Sequence, residues 1–372
     1  MNTSFHPTPR TLMGPGPSDV HPRVLGAMGK ATIGHLDPEF VGLMEDIKDL
    51  MRYTFRTSNA LTLPLSAPGS AAMEASFANL LEPGDKAIVC INGVFGMRMA
   101  ENVRRMGGNL VTVEDEWGTQ VDPEKLKAAL QENPDAKIVA FVHAETSTGV
   151  CSDVKTLCAL AKEHGCLTIV DSVTGLAGVP LEVDEWQIDV AYSGTQKCLS
   201  APPGISLITF SDAAADRVRS RNTSVQSWFL DLSLLMAYWE GEGGGRTYHH
   251  TAPVNAMYGL HEALLMVKEQ GLEESWAKHR TMHTSLHESL TGLGLEFVVD
   301  ASYRLPQLNL VKAPEGVDEA AVRKQLLQDF NLEIGAGLGA FAGKVWRIGL
   351  MGYSARQENV QLCASALRAC LP

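Results

Sequence analysis

From about residue 60 to residue 210, short runs rich in β-branched residues alternate with longer amphipathic stretches. Strands that recur only after a helix-length interval do not pair as hairpins, so the pattern predicts a mostly parallel sheet covered by helices. Met73, Phe77, Leu80 and Leu81 recur at helical spacing after Gly69-Ser70, and Pro83-Gly84 stops that helix. Strands are predicted at Ala87–Ile91, Leu110–Val113, Lys137–His143, Leu167–Val170, Ile188–Tyr192 and Ile205–Phe210. Between them, Asp122-Pro123 opens a helix running towards Gln131, and a helix from Asp153 to His164 ends at Gly165.

After about residue 255 the pattern becomes mostly helical, with strands predicted at Leu295–Val299, Leu308–Val311 and Val345–Leu350. A chain of 372 residues exceeds what one hydrophobic core usually spans. The division expected is an N-terminal arm over residues 1–20, a large α/β domain over 21–255 and a smaller C-terminal α/β domain over 256–372. The arm ends in Gly14-Pro15-Gly16-Pro17-Ser18, too broken for a helix or a central strand, and is expected to dock on another element. Gly241, Gly243, Gly244 and Gly245 predict a flexible loop.

Lys plus Arg number 31 against 43 Asp plus Glu, a net charge of −12 that opposes long-range attraction to nucleic acid or an anionic membrane. No run approaches the roughly 18 apolar residues of a membrane span, and the N-terminus lacks a basic stretch followed by an apolar core. A soluble, cytoplasmic chain is expected. The seven Cys are scattered without two-residue spacing, which fits reduced thiols rather than a metal or redox site.

In an open parallel sheet, ligands bind beyond the carboxyl ends of the strands, so polar residues that follow apolar runs are the first candidates. Asp171 is delivered by the apolar run Leu167–Val170 to a place where an unpaired carboxylate is expensive, so a cationic partner is expected; capping of the next turn is the alternative. Lys197 follows another strand in Ser193-Gly194-Thr195-Gln196-Lys197 and leads through Ala201-Pro202-Pro203-Gly204 into the next. A lysine held by a rigid turn has its pKa lowered by burial, which suits imine formation, whereas an arbitrary Lys is usually solvated. Ser66-Ala67-Pro68-Gly69-Ser70 opens a helix whose free N–H groups suit a phosphate, or are merely capped. A helix start for phosphate, a strand-end Asp and a turn Lys together describe the needs of pyridoxal 5′-phosphate. His249 and His250 are adjacent on an extended segment, point to opposite faces by that reading, and lack accompanying ligands, so no metal is expected.

The stretch from Asp171-Ser172-Val173 through Ser193–Lys197 to Ala201–Gly204 resembles the class V aminotransferases, specifically the alanine–glyoxylate and serine–pyruvate group. The resemblance extends over nearly the whole chain. It includes Gly14–Pro17, Glu145-Thr146-Ser147-Thr148-Gly149, Tyr248-His249-His250-Thr251 and Gly343-Lys344-Val345-Trp346-Arg347-Ile348-Gly349. It implies the pyridoxal-phosphate-dependent transferase fold type I, a large mostly parallel sheet domain flanked by helices plus a smaller C-terminal domain. By the same resemblance Lys197 forms the imine with the cofactor aldehyde and Asp171 pairs with its ring nitrogen. Phe95 stacks where the family usually has Trp, Thr146 lies near the phenolic oxygen and Val173 beneath the ring. Gly69, Ser70 and Gln196 bind the phosphate, joined across a homodimer interface by Tyr248 and Thr251 of the other chain. Arg347 anchors the substrate carboxylate as a planar fork, with Gly16 also at the substrate. Ser70 stands where the animal enzymes carry His, which bears on substrate preference.

The implied reaction is a ping-pong transfer of an amino group from alanine or serine to glyoxylate or pyruvate. Ureidoglycine–glyoxylate and 2-aminoethylphosphonate–pyruvate aminotransferases share the core motifs and are the alternatives. The cysteine desulfurases share the Asp and Lys but place His before the Lys, where this chain has Gln196. A cofactor-holding protein without catalysis is a further alternative. Cys198, beside the Lys, reads as a small buried residue rather than a nucleophile.

Overall fold

The computed structural model describes residues 3–239 and 246–371. The loop expected at Gly241, Gly243, Gly244 and Gly245 lies outside the described residues. Seven strands form the central sheet: Leu61–Leu65 (β1), Lys86–Ile91 (β2), Asn109–Glu114 (β3), Ile138–Val142 (β4), Leu167–Asp171 (β5), Val190–Gly194 (β6) and Ser206–Phe210 (β7). Their lateral order is β1-β7-β6-β5-β4-β2-β3. Only β7 runs antiparallel to its neighbours, so the sheet is mixed but mostly parallel. Strands β4, β6 and β7 are buried at every residue, as a sheet covered on both faces requires.

Helix Gly69–Leu80 packs against β6 and β7, Val94–Arg105 against β2, β3 and β4, and Val154–Glu163 against β5. The helix expected from Asp122-Pro123 spans Pro123–Glu132, with the Asp122 side chain accepting the Glu124 N–H. Strand β1, which carries Pro64, lies at the sheet edge, where proline is best tolerated.

A second sheet of three antiparallel strands carries Leu308–Lys312 (β8), Gly335–Ala336 (β9) and Val345–Gly349 (β10), with β10 in the middle. The strand expected at Leu295–Val299 is reduced to a single bridge between Phe297 and Val311. Val298 N–H to Leu310 and Lys312 N–H to Glu296 are the only ladder-like bonds there, and the turn built on Asp300 then carries the chain away. Strand β6 starts at Val190 rather than Ile188, because the Ile188 N–H is held in the preceding turn by the Val183 carbonyl.

Buried apolar side chains form one large cluster around the central sheet and a second around β10. Helix Leu272–Thr291 joins both: Leu272 and Trp276 lie in the first, Leu286 and Leu290 in the second. The arm docks on the second cluster. Thr11–Leu12 pairs in parallel with Leu332–Glu333, and Met13 is fully buried there. None of the seven cysteines is in a disulfide.

Candidate active site

Asp171 ends β5 and lies directly beside Tyr192 of β6 in the parallel register. Register partners present their side chains to the same face. The Tyr192 hydroxyl accordingly donates to Asp171 Oδ2 at 3.0 Å, while the Val173 N–H donates to Oδ1 at 2.9 Å. The protein's own hydrogen bonds to Asp171 among the described residues thus come from two neutral donors. Burial pushes the Asp171 carboxyl up to about 7, against the pull of these donors. The Val173 N–H bond is the turn cap that the sequence allows as the alternative role of Asp171.

Lys197 sits in the turn after β6. Thr195 closes that turn, its hydroxyl donating to the Pro202 and Ile205 carbonyls and its own carbonyl accepting the Ala201 N–H. The arm seals the other side: Ser18 Oγ donates to the Lys197 carbonyl at 2.7 Å, and Lys197 Nζ donates to the Pro15 carbonyl. Gly16 faces the amine so closely that a Cβ there would lie 2.4 Å from Nζ, and its φ of 109° is itself a glycine conformation. Burial first, and the Arg347 charge second, push the Lys197 amine down to about 8. Cys198 is buried, its thiol pushed up to about 12 by that burial.

Arg347 comes from the small sheet. Alternation along β10 turns Trp346 and Ile348 into the second core and Arg347 to the opposite face. Its Nε donates to the Ala336 carbonyl at 2.6 Å and Nη1 to the Thr146 carbonyl at 3.2 Å. It is 8% exposed, and burial pushes the guanidinium down to about 10. Thr146 itself is buried.

Glu145, quoted from sequence only as part of a motif, organises the ring-stacking position. Its Oε2 accepts the Phe95 N–H at 3.1 Å, and Oε1 accepts the Ser147 hydroxyl at 2.6 Å and N–H at 3.0 Å. Ser147 Oγ in turn accepts the Val94 N–H at 2.9 Å. Helix Val94–Arg105 has no cap of its own, since Gly93 precedes it, and Glu145 with Ser147 supplies one. A Cβ at Gly93 would lie 2.5 Å from the Glu145 carboxyl carbon. Phe95 is half-buried, with the Arg98 guanidinium carbon 4.9 Å from its ring centroid.

Gly69 is the first residue of its helix, which has no side-chain cap, and Ser70 is exposed beside it. Val173 is half-buried and adjoins Ser193, whose hydroxyl donates to its carbonyl. Gln196 lies next to Lys197 with a buried Oε1 that has no partner among the described residues. Tyr248 is 61% exposed and Thr251 is exposed, and neither side chain bonds to the residues above. His249 and His250 do not point apart: their Nδ1 atoms lie 2.8 Å from each other, and His250 Nε2 meets Ser66 Oγ at 2.7 Å. The segment is not in a strand, so strict alternation does not apply to it. Among the described residues there is no group of three His, Cys, Asp or Glu suited to a metal, and no helix is long and apolar enough to cross a membrane.

This architecture is that of the fold type I aminotransferases, a class built around pyridoxal phosphate chemistry. The chain belongs to the class-V aminotransferase family, whose pattern matches residues 16–362. The alanine–glyoxylate aminotransferase of Callithrix jacchus is 42% identical over 363 residues, covering 97% of this chain and 87% of its own. The crystal structure of alanine–glyoxylate aminotransferase from Nostoc sp. superposes with a TM-score of 0.97 at 44% identity, covering 100% of this chain and 98% of that one. Ureidoglycine–glyoxylate aminotransferase from Bacillus subtilis superposes with the same TM-score of 0.97 at 39% identity, covering 99% and 94%.

Proposed function

We propose that this aminotransferase binds pyridoxal phosphate at Lys197 and moves an amino group from alanine or serine to glyoxylate or pyruvate. The observation that carries the reading is Arg347, a guanidinium 8% exposed whose only acceptors among the described residues are two backbone carbonyls. A buried cation without a carboxylate partner is costly unless an anion joins it, and its planar fork matches an α-carboxylate.

The residues present fit the cofactor. The uncapped helix start at Gly69 leaves backbone N–H groups for a phosphate. Gln196, turned about its amide, would donate where its unpartnered Oε1 now lies. Only glycine at position 16 leaves space at the Lys197 amine. When bound, pyridoxal phosphate supplies an aldehyde for the substrate amine and a ring that takes up the electron pair of the α-carbon.

The chain's own groups do the rest. Asp171 would hold the ring nitrogen, Phe95 and Val173 would pack against the ring, and Arg347 would fix the substrate's orientation. Lys197 Nζ, whose lowered value of about 8 leaves a neutral fraction at physiological pH that an ordinary lysine lacks, takes the proton from the α-carbon. Exposed Tyr248 and Thr251 serve the phosphate of a second copy in a homodimer. The likeness to the Bacillus subtilis enzyme favours a second reading in which ureidoglycine is the donor.

The test is a panel on the cofactor-loaded protein: alanine, serine, ureidoglycine and 2-aminoethylphosphonate, each against glyoxylate and pyruvate. The highest kcat/KM is expected for alanine or serine with glyoxylate. Preference for ureidoglycine would replace this reading with the second one, and no transfer with any pair would refute both.

A further inference from the structure

We propose that Tyr192 is a positioning residue for the reaction: its hydroxyl favours the ionised form of the Asp171 carboxylate and aims it before the cofactor arrives. The inference rests on the functional reading above and deepens it. Three observations support it. Tyr192 is fully buried, and the only hydrogen-bond partner of its hydroxyl among the described residues is Asp171 Oδ2 at 3.0 Å. The β5–β6 register fixes that contact, because Asp171 and Tyr192 are direct neighbours in it. Asp171 Oδ1 is already taken by the Val173 N–H, so Tyr192 is the only side chain that bonds to the carboxylate among the described residues.

The charged groups around Asp171 do not replace it. Lys197 favours the ionised carboxylate from a distance and Glu145 opposes it. Behind the strand end, His143 donates its backbone N–H to the Asp171 carbonyl and meets Ser172 Oγ through Nδ1 at 3.0 Å. Burial pushes its ring down to about 4, so it stays neutral and contributes no charge. Even with the Val173 and Tyr192 bonds in place, burial holds Asp171 near 7, so near neutral pH a large fraction of molecules carries a protonated acid, which lacks the negative charge that a ring N–H cation pairs with. A hydrogen bond to the charged form favours that form, so removing the phenol raises the Asp171 value further. The shift makes cofactor binding weaker at neutral pH and leaves it unchanged where Asp171 is ionised anyway.

The experiment measures the dissociation constant of pyridoxal phosphate for the cofactor-free protein across about pH 6 to 9, for wild type and Tyr192→Phe. The substitution keeps the ring and deletes one oxygen. About tenfold weaker binding is expected at pH 6.5–7, converging to within about twofold at pH 9. A loss that is uniform with pH, as a merely structural defect would give, or curves that coincide throughout, would overturn the proposal. In an Asp171→Asn background, which has no carboxylate to hold, adding Tyr192→Phe should change the constant by less than about twofold. A further tenfold loss there would also overturn it. A wild-type chain that binds no pyridoxal phosphate would instead remove the functional reading itself.

Discussion

The Arg347 guanidinium reaches from the small antiparallel sheet to the Thr146 carbonyl at 3.2 Å, on the loop that follows β4 of the large sheet. One side chain thus ties the substrate anchor to the segment that also contains Glu145. The anchor is set by hydrogen bonds to backbone carbonyls, which leave its remaining N–H groups without acceptors among the described residues.

Arg347→Lys should therefore raise KM for every amino acid donor by about 10- to 100-fold, with a smaller change in kcat. A lysine offers a point charge in place of the fork and loses the paired geometry, an effect worth about 1.5–3 kcal/mol for a hydrogen bond to a charged group. Steady-state kinetics with alanine check this. An unchanged KM would remove Arg347 from carboxylate recognition.

Glu145→Gln should destabilise the cofactor-free protein by about 1–3 kcal/mol, read from its denaturant midpoint. Glutamine keeps one acceptor oxygen but turns an NH2 towards N–H donors, so the Phe95 N–H or the Ser147 pair loses its partner. The backbone at Phe95 should then shift and weaken cofactor affinity, since offset stacking contributes about 0.5–1.5 kcal/mol and depends on ring placement. Wild-type stability and affinity in this variant would show that Ser147 alone caps the helix.

The parts of the site that sequence reveals are those made by local pattern. Asp171 ends an apolar run, Lys197 lies among turn residues, and Arg347 alternates with Trp346 and Ile348 along β10, so each can be placed without knowing its neighbours. Tyr192 and Glu145 depend on lateral pairing. The first meets Asp171 only because β5 and β6 are adjacent in register, and the second meets Phe95 across 50 residues of chain. A tyrosine on a fully buried strand is a usable signal, because a buried phenol must find an acceptor. The arm is similar: its composition predicts docking, but pairing of Thr11–Leu12 with Leu332–Glu333 depends on the assembled small domain. The bridge at Phe297 shows the converse, an apolar run that reads as a strand but is turned away after two bonds.

If Tyr248 serves the partner's site, two defective variants should complement each other. Lys197→Ala keeps a sound Tyr248, and Tyr248→Ala keeps a sound Lys197. In a mixed dimer one of the two sites then combines both intact residues. Refolding the pair together in equal amounts should restore up to about a quarter of wild-type activity, half the dimers being mixed and half their sites intact. Activity no greater than the sum of the separate variants would place Tyr248 at its own chain's site.

Lys197 links stability to pH in a direction opposite to that of a salt-bridged lysine. Its value falls from 10.5 to about 8, through burial first and the Arg347 charge second. A depressed value means that the unfolded chain binds more protons than the folded one between about pH 8 and 10.5, so the cofactor-free protein gains stability as pH rises through that window. Below pH 8 the amine is charged in both states, and the folded state bears the whole penalty of burying it. Lys197→Met removes the charge while filling similar volume, at the loss of one hydrogen bond to the Pro15 carbonyl. The variant should therefore be more stable than wild type at pH 7 by about 1–3 kcal/mol, and the difference should shrink towards zero as pH approaches 10.5. Thermal and denaturant unfolding of both cofactor-free proteins across that range measure it. A variant less stable at pH 7, or a gap that does not change with pH, would mean that the buried amine carries no such penalty and that its poise near neutrality has another source.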